Sequence, residues 1–316
     1  MTIAKYTIAF ILKEVVDTME NLSIEPFKNV IAFLKSEARP LETALYEFEF
    51  EDGSREQVLK ELTVYQNEDG GFGNGLEPDF RCQASSALAT TIGLQHLIRV
   101  GADESNPMVQ RAIQYALSTF DNAKMGWEIV PKEVESAPRA IWWNYGGDWP
   151  WGNPSAEMTG LLHHYNGLVP ADFLKKLTTH AVTYINQLET YDHHELQCLV
   201  RLMKELPVEE AEKVSDKVRE IARNSVTTDS EKWHDYCLLP LQVVASTKSF
   251  LYEDFKDIIP SNLQHLLDSQ AEDGSWKPTW AWGQFDKEWE TAKQEWSGVL
   301  TLENLRLLHA YHIGAL

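Results

Sequence analysis

The chain alternates between two kinds of apolar pattern. In the first kind, apolar residues recur every three or four positions, which is typical of a helix with one buried face. In the second kind, small and apolar residues lie nearly all round, as in a helix packed on several sides. The first kind covers Val58 to Tyr65, Val109 to Phe120, Leu174 to Leu188, Val214 to Ile221 and Ile259 to Leu266. The second kind follows each of these at 84–99, 155–166, 192–206, 235–246 and 300–312.

These pairs predict an all-α fold built from helical hairpins. Two further helices near 3–18 and 24–37 would supply a sixth pair, so we predict one domain over 1–316 with residues 1–40 completing it. Tyr46 to Glu51 alternates aromatic residues with glutamates, as a strand does, but the run ends in Asp52-Gly53 and stands alone.

One segment occurs twice. Leu62 to Phe72 and Leu266 to Trp276 share a Leu, a Gln, the sequence Glu-Asp-Gly and a final aromatic residue at the same spacing. The two glutamines, Gln66 and Gln270, lie 204 positions apart (270 minus 66). That distance corresponds to about four units of roughly 50 residues, a period typical of repeat architectures.

The repeated segment resembles the QW motif of squalene and oxidosqualene cyclases, Leu-x3-Gln-x3-Gly-x-aromatic, here at 62–72 and 266–276. The resemblance implies an α/α toroid of the terpenoid-cyclase and protein-prenyltransferase superfamily, a double ring of five to six helical hairpins. In that family the Gln caps the next helix and the aromatic residue stacks on it. The stretch 67–79, followed by Ser85-Ser86, is similar to small bacterial toroid proteins described as prenyltransferase-like.

Three long connections, about 67–83, 122–154 and 271–297, precede segments of the second kind. Long loops in a compact domain are usually functional. In a ring of hairpins these loops meet at one rim, where we place the site. The helices that begin there present their N-termini, which favour an anionic group.

Two groups of carboxylates are candidate acids. Glu77 and Asp79 lie in the glycine-rich first loop beside Arg81, and paired carboxylates divide into acid and base when their surroundings separate their pKa values. The alternative is a turn in which Arg81 holds a carboxylate structurally. Asp192 and Glu195 are the nearest counterpart of the DxDD motif of class II terpenoid cyclases, and the alternative is that Asp192 is only a helix cap.

Tryptophans are concentrated in the long loops and are the candidate lining of a cavity. Aromatic faces stabilise carbocations or stack on sugar rings, and the alternative is that they only plug the opening. The predicted substrate-binding residues are Arg81, Trp142, Trp143, Tyr145, Asp148, Trp149, Trp151, Glu157, His194, His234, Asp235, Trp280 and Trp282. For Glu157 the alternative is that its segment is only a helix start.

Zinc is the only cofactor that any pattern favours. Asp235 and Cys237, with His309 near the C-terminus, resemble the zinc site of protein prenyltransferase β subunits. The alternative is that Cys237 is a small buried residue. We otherwise predict no cofactor.

Charge and cysteine content limit the partners and the compartment. The net charge of −20 disfavours nucleic acid. Three scattered cysteines fit a reducing compartment. The apolar run from Tyr6 to Leu12 is too short to span a bilayer. We therefore predict a cytoplasmic protein with a small-molecule substrate and no integral membrane segment.

Three functions fit these patterns. The first is an enzyme that binds an apolar, isoprenoid-like substrate in an aromatic-lined cavity and starts cyclisation or isomerisation with an acid. The second is a carbohydrate-active enzyme of the α/α-barrel type, a glycosidase or uronate lyase. The third is a non-catalytic ligand-binding module.

Overall fold

The computed structural model describes residues 25–313. Within them the chain forms helices joined by loops and turns, with isolated bridges but no extended strand, and this confirms the predicted all-α class. Thirteen α-helices lie in this range. They are α1 (Glu25–Ser36), α2 (Pro40–Phe50), α3 (Arg55–Thr63), α4 (Ala87–Arg99), α5 (Pro107–Ser118), α6 (Gly152–His164), α7 (Ala171–Gln187), α8 (His193–Glu205), α9 (Val208–Glu212), α10 (Ser215–Ser225), α11 (Tyr252–Phe255), α12 (Ile259–Asp268) and α13 (Asp286–Ala310).

The described residues divide into two compact units. The first unit contains 25–53, 226–280 and 293–313, and the second contains 54–225 and 281–292. None of the helices between residues 25 and 313 combines the length and the apolar character needed to cross a bilayer.

The second unit is built around α6. Its residues are buried on every side from Gly152 to Leu162, as the all-round apolar pattern predicts. Helices α6 and α8 approach closely at Gly160, where an added Cβ would lie 3.1 Å from the Cα of Leu202. Helices α5 and α7 instead bury one face each.

Polar side chains fix where several helices of this unit begin. Each accepts a hydrogen bond from a backbone N–H of the first turn, which satisfies a donor that has no partner within the helix. The caps are Ser54 for α3, Ser86 for α4, Asn106 for α5 and Asp192 for α8.

The helix predicted over 235–246 is wrong. In its place the first unit has a single 3₁₀ turn at Pro240–Gln242. Proline has no N–H and disfavours the helical conformation of the residue before it, so a helix cannot run through Leu239 and Pro240. The Gln242 side chain accepts the Leu239 N–H instead, and the Leu241 N–H donates to Asn262 Oδ1.

Two other predictions need adjustment. The alternating run Tyr46 to Glu51 lies mostly in helix α2, where Tyr46 and Phe50 are one turn apart and their rings stack at 5.8 Å. The last helix begins at Asp286 rather than near residue 300, which shortens the loop predicted over 271–297. The helix predicted near 3–18 lies outside the described residues.

The two copies of the repeated segment form the same loop. Gln66 Nε2 donates to the carbonyl of Gly70 at 2.9 Å, and Gln270 Nε2 donates to that of Gly274 at 3.0 Å. The residue after each glycine donates its N–H to the preceding aspartate, Asp69 or Asp273, at 3.0 Å in both copies. The copies therefore share a structural role as well as a sequence pattern.

The aspartate of each loop also receives a serine hydroxyl, but the serine comes from different positions. In the second copy it is Ser275, which lies two residues after Asp273 and bonds at 2.6 Å. In the first copy Gly71 stands at that position, and Ser85 bonds Asp69 at 2.7 Å instead. A side chain on Gly71 would meet Ser85 Cβ at 2.6 Å, so the space is already filled.

The glycine of each loop packs against the backbone of another helix. Gly70 and Gly274 have φ of +90° and +87°. A Cβ on Gly70 would lie 2.4 Å from the carbonyl oxygen of Arg111 in α5, and one on Gly274 would lie 2.3 Å from the carbonyl carbon of Asn29 in α1. Helix α1 thus contacts the second copy as α5 contacts the first.

A third loop has the same contacts without the sequence motif. Trp127 Nε1 donates to the Ala116 carbonyl at the end of α5, and its N–H donates to Ser155 Oγ in α6. In the second copy, Trp276 makes the equivalent pair of bonds to Leu266 and to Thr301 Oγ1. An aromatic residue that joins the preceding and following helices is the shared feature.

Candidate functional site

The predicted site residues divide between the two units. His234, Asp235, Cys237, Trp280 and His309 belong to the first unit, and the others belong to the second. We describe the two sets separately.

In the first unit the zinc hypothesis finds no support. Asp235 is exposed, the Cys237 thiol donates to the Lys232 carbonyl at 3.5 Å, and His309 packs edge-on against Phe50. No group of three or more His, Cys, Asp or Glu side chains within residues 25–313 is placed to hold a metal ion. The helix predicted over 235–246, which contains Asp235 and Cys237, is absent here.

Aromatic contacts account for the other predicted residues of this unit. His234 packs edge-on against His265 at 5.2 Å, and Trp280 packs against Tyr236 and Trp296. A broad, open concavity of about 720 Å³ lies elsewhere in the unit and contains none of the predicted residues. Its lining is Glu47, Phe50, Glu51, Asp52 and Gly53.

In the second unit, one group of predicted residues surrounds the glycine-rich loop. We call it the loop cluster, and it comprises Glu77, Asp79, Arg81, Trp143, Trp149 and Trp282. Glu77 and Asp79 are buried, and the fully buried Trp282 donates its indole N–H to Asp79 Oδ1 at 2.8 Å. The loop cluster thus contains two buried carboxyl groups.

Backbone hydrogen bonds hold three segments of the loop cluster together. The Ala140 N–H donates to the Asp79 carbonyl at 2.8 Å, and the Ile141 N–H donates to the Trp282 carbonyl at 3.0 Å. Gly75 has a φ of +74°, and the Arg81 guanidinium lies 3.3 Å from where its Cβ would stand. A larger residue there would displace Arg81. Glycine at this position therefore allows both the positive φ of the turn and the close approach of the arginine.

Trp143 and Trp149 stack on each other in the loop cluster. Their ring centroids are 5.0 Å apart, and Trp143 also packs edge-on against Phe80. The indole nitrogens of both tryptophans are buried and have no hydrogen-bond partner within the described residues. Buried donors without acceptors are uncommon in native proteins and call for a specific explanation.

A second group lies among helices α6, α7 and α8. We call it the Glu195 cluster, and it comprises Asn153, Glu157, Tyr184, Glu195, Cys198 and Arg201. The Glu195 side chain is only 2 % exposed. Its Oε1 accepts the Tyr184 hydroxyl at 2.7 Å and the Gly152 N–H at 2.9 Å.

Burial raises the pKa of the Glu195 carboxyl, although the bonds from Tyr184 and Gly152 favour the charged form. Both donors bond to Oε1, which leaves Oε2 to carry the proton in the neutral form. Glu195 therefore has the surroundings of a general acid.

Glu157 has different surroundings within the same cluster. Its Oε2 pairs with the Arg201 guanidinium at 2.8 Å, and Gln95 Nε2 donates to its Oε1. Two buried carboxyl groups on adjacent helices thus differ in their partners, because Glu157 has a cation and Glu195 has only neutral donors.

Two further titratable groups, Cys198 in the cluster and His194 beside Glu195 in the chain, favour their neutral forms. Burial raises the pKa of the Cys198 thiol far above its usual range, so this cysteine is not a nucleophile at neutral pH. Burial and neighbouring His193 lower the pKa of His194.

Aromatic rings lie beside the Glu195 carboxyl. Trp151 directly precedes Gly152, which donates to Glu195, and its ring packs against Tyr184 at 4.9 Å and His180 at 5.0 Å. The Trp151 indole N–H already donates to the Met125 carbonyl, so this side chain would contact a ligand through its ring face.

The other predicted residues of this unit lie at the margins of the two clusters. Asp192 caps α8 by accepting the Glu195 N–H at 2.9 Å. Tyr145 and Asp148 are exposed, and Trp142 is half-buried.

The sequence patterns missed Asn153, Tyr184, Cys198 and Arg201, and also Gln95. Polar residues within a helix that is otherwise apolar all round were an available signal, and Gln95 in α4 shows it. Tyr184 and Arg201 gave no such signal because amphipathic helices commonly carry exposed polar residues.

Comparison with protein-family models, with curated proteins and with solved structures finds no match to this chain.

Proposed function

We propose that this protein is an enzyme that starts the isomerisation or cyclisation of an apolar, alkene-bearing substrate by protonating it. The observation that carries the proposal is Glu195, a buried carboxyl group with a raised pKa on the first turn of α8. A carboxylic acid whose pKa is raised holds its proton more firmly than an exposed one and can donate it to a weak base such as an alkene.

The proposed reaction conserves the substrate's formula. Glu195 Oε2 donates its proton to one alkene carbon, and the neighbouring carbon becomes a carbocation. The cation then rearranges or closes a ring, and loss of a proton from an adjacent carbon forms the product alkene. That proton returns to the Glu195 carboxylate, directly or through water.

The neighbouring rings suit such a cation. The faces of Trp151 and Tyr184 are electron-rich, and cation–π contacts of this kind contribute about 0.5–2 kcal/mol each. Cys198 favours its neutral thiol form, so it places no thiolate nucleophile beside the acid. The predicted catalytic roles of Glu77, Asp79 and Asp192 stay predictions.

We also propose that the hairpins form the ring that the resemblance implies. Support comes from the first unit, where α1 packs against Gly274 of the second loop copy. In the second unit, α5 packs in the same way against Gly70 of the first copy. An N-terminal helix in that position is expected when the first and last hairpins of a ring are neighbours.

Deuterium labelling tests the proposed reaction. The protein is incubated in D₂O with a panel of prenyl alcohols, prenyl diphosphates and oligosaccharides, and products are separated and weighed by mass spectrometry. We expect an isomeric alkene product that has gained one deuterium for each protonation. Glu195→Gln keeps the shape and the acceptor oxygen but cannot donate this proton, so it should form no labelled product.

Glu189→Gln is the matched control, because Glu189 is an exposed carboxyl group on the loop before α8. It should form product at the wild-type rate. Unlabelled product, or full activity in Glu195→Gln, would refute the acid role. Cleavage of oligosaccharides without any alkene product would replace the proposal with glycosidic chemistry.

A further inference from the structure

We propose that Trp143 and Trp149 form a second ligand site in the second unit, separate from the Glu195 cluster, for a neutral sugar or a similar polyhydroxylated ring. The starting observation is the pair of buried indole N–H groups that find no acceptor among residues 25–313. A buried donor without a hydrogen bond costs about 1–3 kcal/mol of stability. Two such donors on stacked rings are therefore a substantial cost unless a ligand accepts their hydrogen bonds.

Other tryptophans of the chain show that this arrangement is not general. Trp127, Trp151, Trp276 and Trp282 each donate their indole N–H to a protein oxygen at 2.7–2.9 Å. Trp143 and Trp149 differ although Trp143 is only 8 % exposed. Their donors are therefore available for hydrogen bonding to something other than the protein.

A glycine-containing segment lies against the Trp149 donor. Residues 145–148 are exposed and contain the pair Gly146-Gly147. Gly146 has a φ of +68° and open space around it, whereas a Cβ on Gly147 would lie 2.7 Å from Trp149 Nε1. The Gly147 backbone thus covers the indole nitrogen without accepting its hydrogen. We call residues 145–148 the flap.

Both ends of the flap are held. Asn144 donates to the Ile141 carbonyl and accepts from Arg139, and after the flap Trp149 stacks on Trp143. Two glycines between held ends allow the flap to change conformation once its own bonds, from the Tyr145 N–H to Glu135 and from the Gly147 N–H to Asn144, are broken. Lifting it would expose the Trp149 indole N–H to a ligand.

Charge selects a neutral ligand. The charged side chains of the loop cluster are two buried carboxyl groups, Glu77 and Asp79, and one guanidinium, Arg81, which sum to −1 when all are ionised (−2 plus 1). An anion would be repelled there, whereas the hydroxyl groups of a neutral ring can accept from the indoles. Aromatic faces with a few convergent polar groups are typical of small-molecule sites.

NMR of the tryptophan side chains tests the site. Indole ¹H–¹⁵N signals are assigned with single Trp→Phe variants, and the protein is titrated with methyl β-D-glucopyranoside. We expect the Trp143 and Trp149 N–H protons to shift downfield as they acquire an acceptor, while those of Trp127 and Trp276 stay constant. Trp149→Phe should weaken binding about tenfold, as loss of one such bond predicts.

Trp127→Phe is the control variant, because it removes a buried indole from the same unit whose N–H is already bonded to protein. It should bind the glucoside like the wild type. D-glucuronate and inorganic phosphate form the anionic arms. If they shift the two signals and the glucoside does not, the assignment to a neutral ligand is wrong. If none of the three shifts them, the site does not exist.

Discussion

The two buried carboxyl groups of the Glu195 cluster show how neighbours decide the chemistry of one residue type. Glu157 is paired with the Arg201 guanidinium, whereas Glu195 accepts only a hydroxyl and a backbone N–H. Neutral donors offset only part of the cost of burying a charge. Glu195 therefore favours its protonated form more than an exposed glutamate does.

This difference makes stability depend on pH in a defined direction. The folded-state pKa of Glu195 is raised, so the folded protein holds this proton at pH values where the unfolded chain releases it. Its contribution to stability is complete below a pH of about 4.3, the usual glutamate value, and is lost as pH rises through the folded pKa. A tenfold difference in proton affinity between the folded and unfolded states corresponds to about 1.4 kcal/mol of stability.

Glu195→Gln should remove this dependence. We expect the melting temperature of the variant to increase relative to that of the wild type as pH rises from 4 to 8, because the amide carries no charge to bury. Thermal unfolding at several pH values measures the difference. The exposed control Glu189→Gln should give a curve parallel to that of the wild type. If Glu195→Gln also runs parallel, the pKa of Glu195 is not raised.

At the scale of the element, the repeated loop shows which parts of its motif are essential. The glutamine donates to the glycine carbonyl and the aspartate accepts the next backbone N–H in both copies, and the N–H of the aromatic residue donates to Thr90 or Thr301 at 3.0 Å. The glycine is the most constrained member, because its φ is positive and a backbone lies against it.

Gly70→Ala and Gly101→Ala separate these two constraints. Both glycines have positive φ, but a Cβ on Gly101 has nothing within 4 Å, whereas one on Gly70 would lie 2.4 Å from the Arg111 carbonyl oxygen. We expect Gly101→Ala to lower the free energy of unfolding by about 1–2 kcal/mol from backbone strain alone. We expect Gly70→Ala to lower it by about 3 kcal/mol or more, because overpacking adds to the strain.

Chemical denaturation measures both variants. Equal losses would mean that α5 moves away from the loop without cost, and would contradict the close packing at Arg111.

The sequence predicted most elements because hydrophobic periodicity reports directly on which helix faces are buried. It failed over 235–246, where a mainly apolar run does not distinguish a helix from an extended core segment, and Pro240 decides against the helix. For the site, the motif at 192–195 located Glu195. Tyr184 and Gly152, which contact its carboxyl group, come from other helices and are brought there only by packing.

At the scale of the whole molecule, the two units are expected to respond separately to local damage. Gly274 lies in the first unit against α1, and Gly70 lies in the second unit against α5. Gly274→Ala should therefore lower amide hydrogen-exchange protection in α1 and around 271–276, and Gly70→Ala should do so in α5 and around 67–72. Exchange measured by mass spectrometry on peptides from each unit tests this. Loss of protection throughout the chain in either variant would show that the units unfold together.

The serine that bonds the loop aspartate has a consequence for recognising relatives of this chain. One copy takes the hydroxyl from position 275 and the other takes it from position 85, fourteen residues beyond the place that corresponds to 275 (85 minus 71). Selection on such a contact acts on the hydroxyl and not on its column in an alignment. A search pattern for distant homologues should therefore fix the Gln, Asp and Gly, and accept the serine at either location.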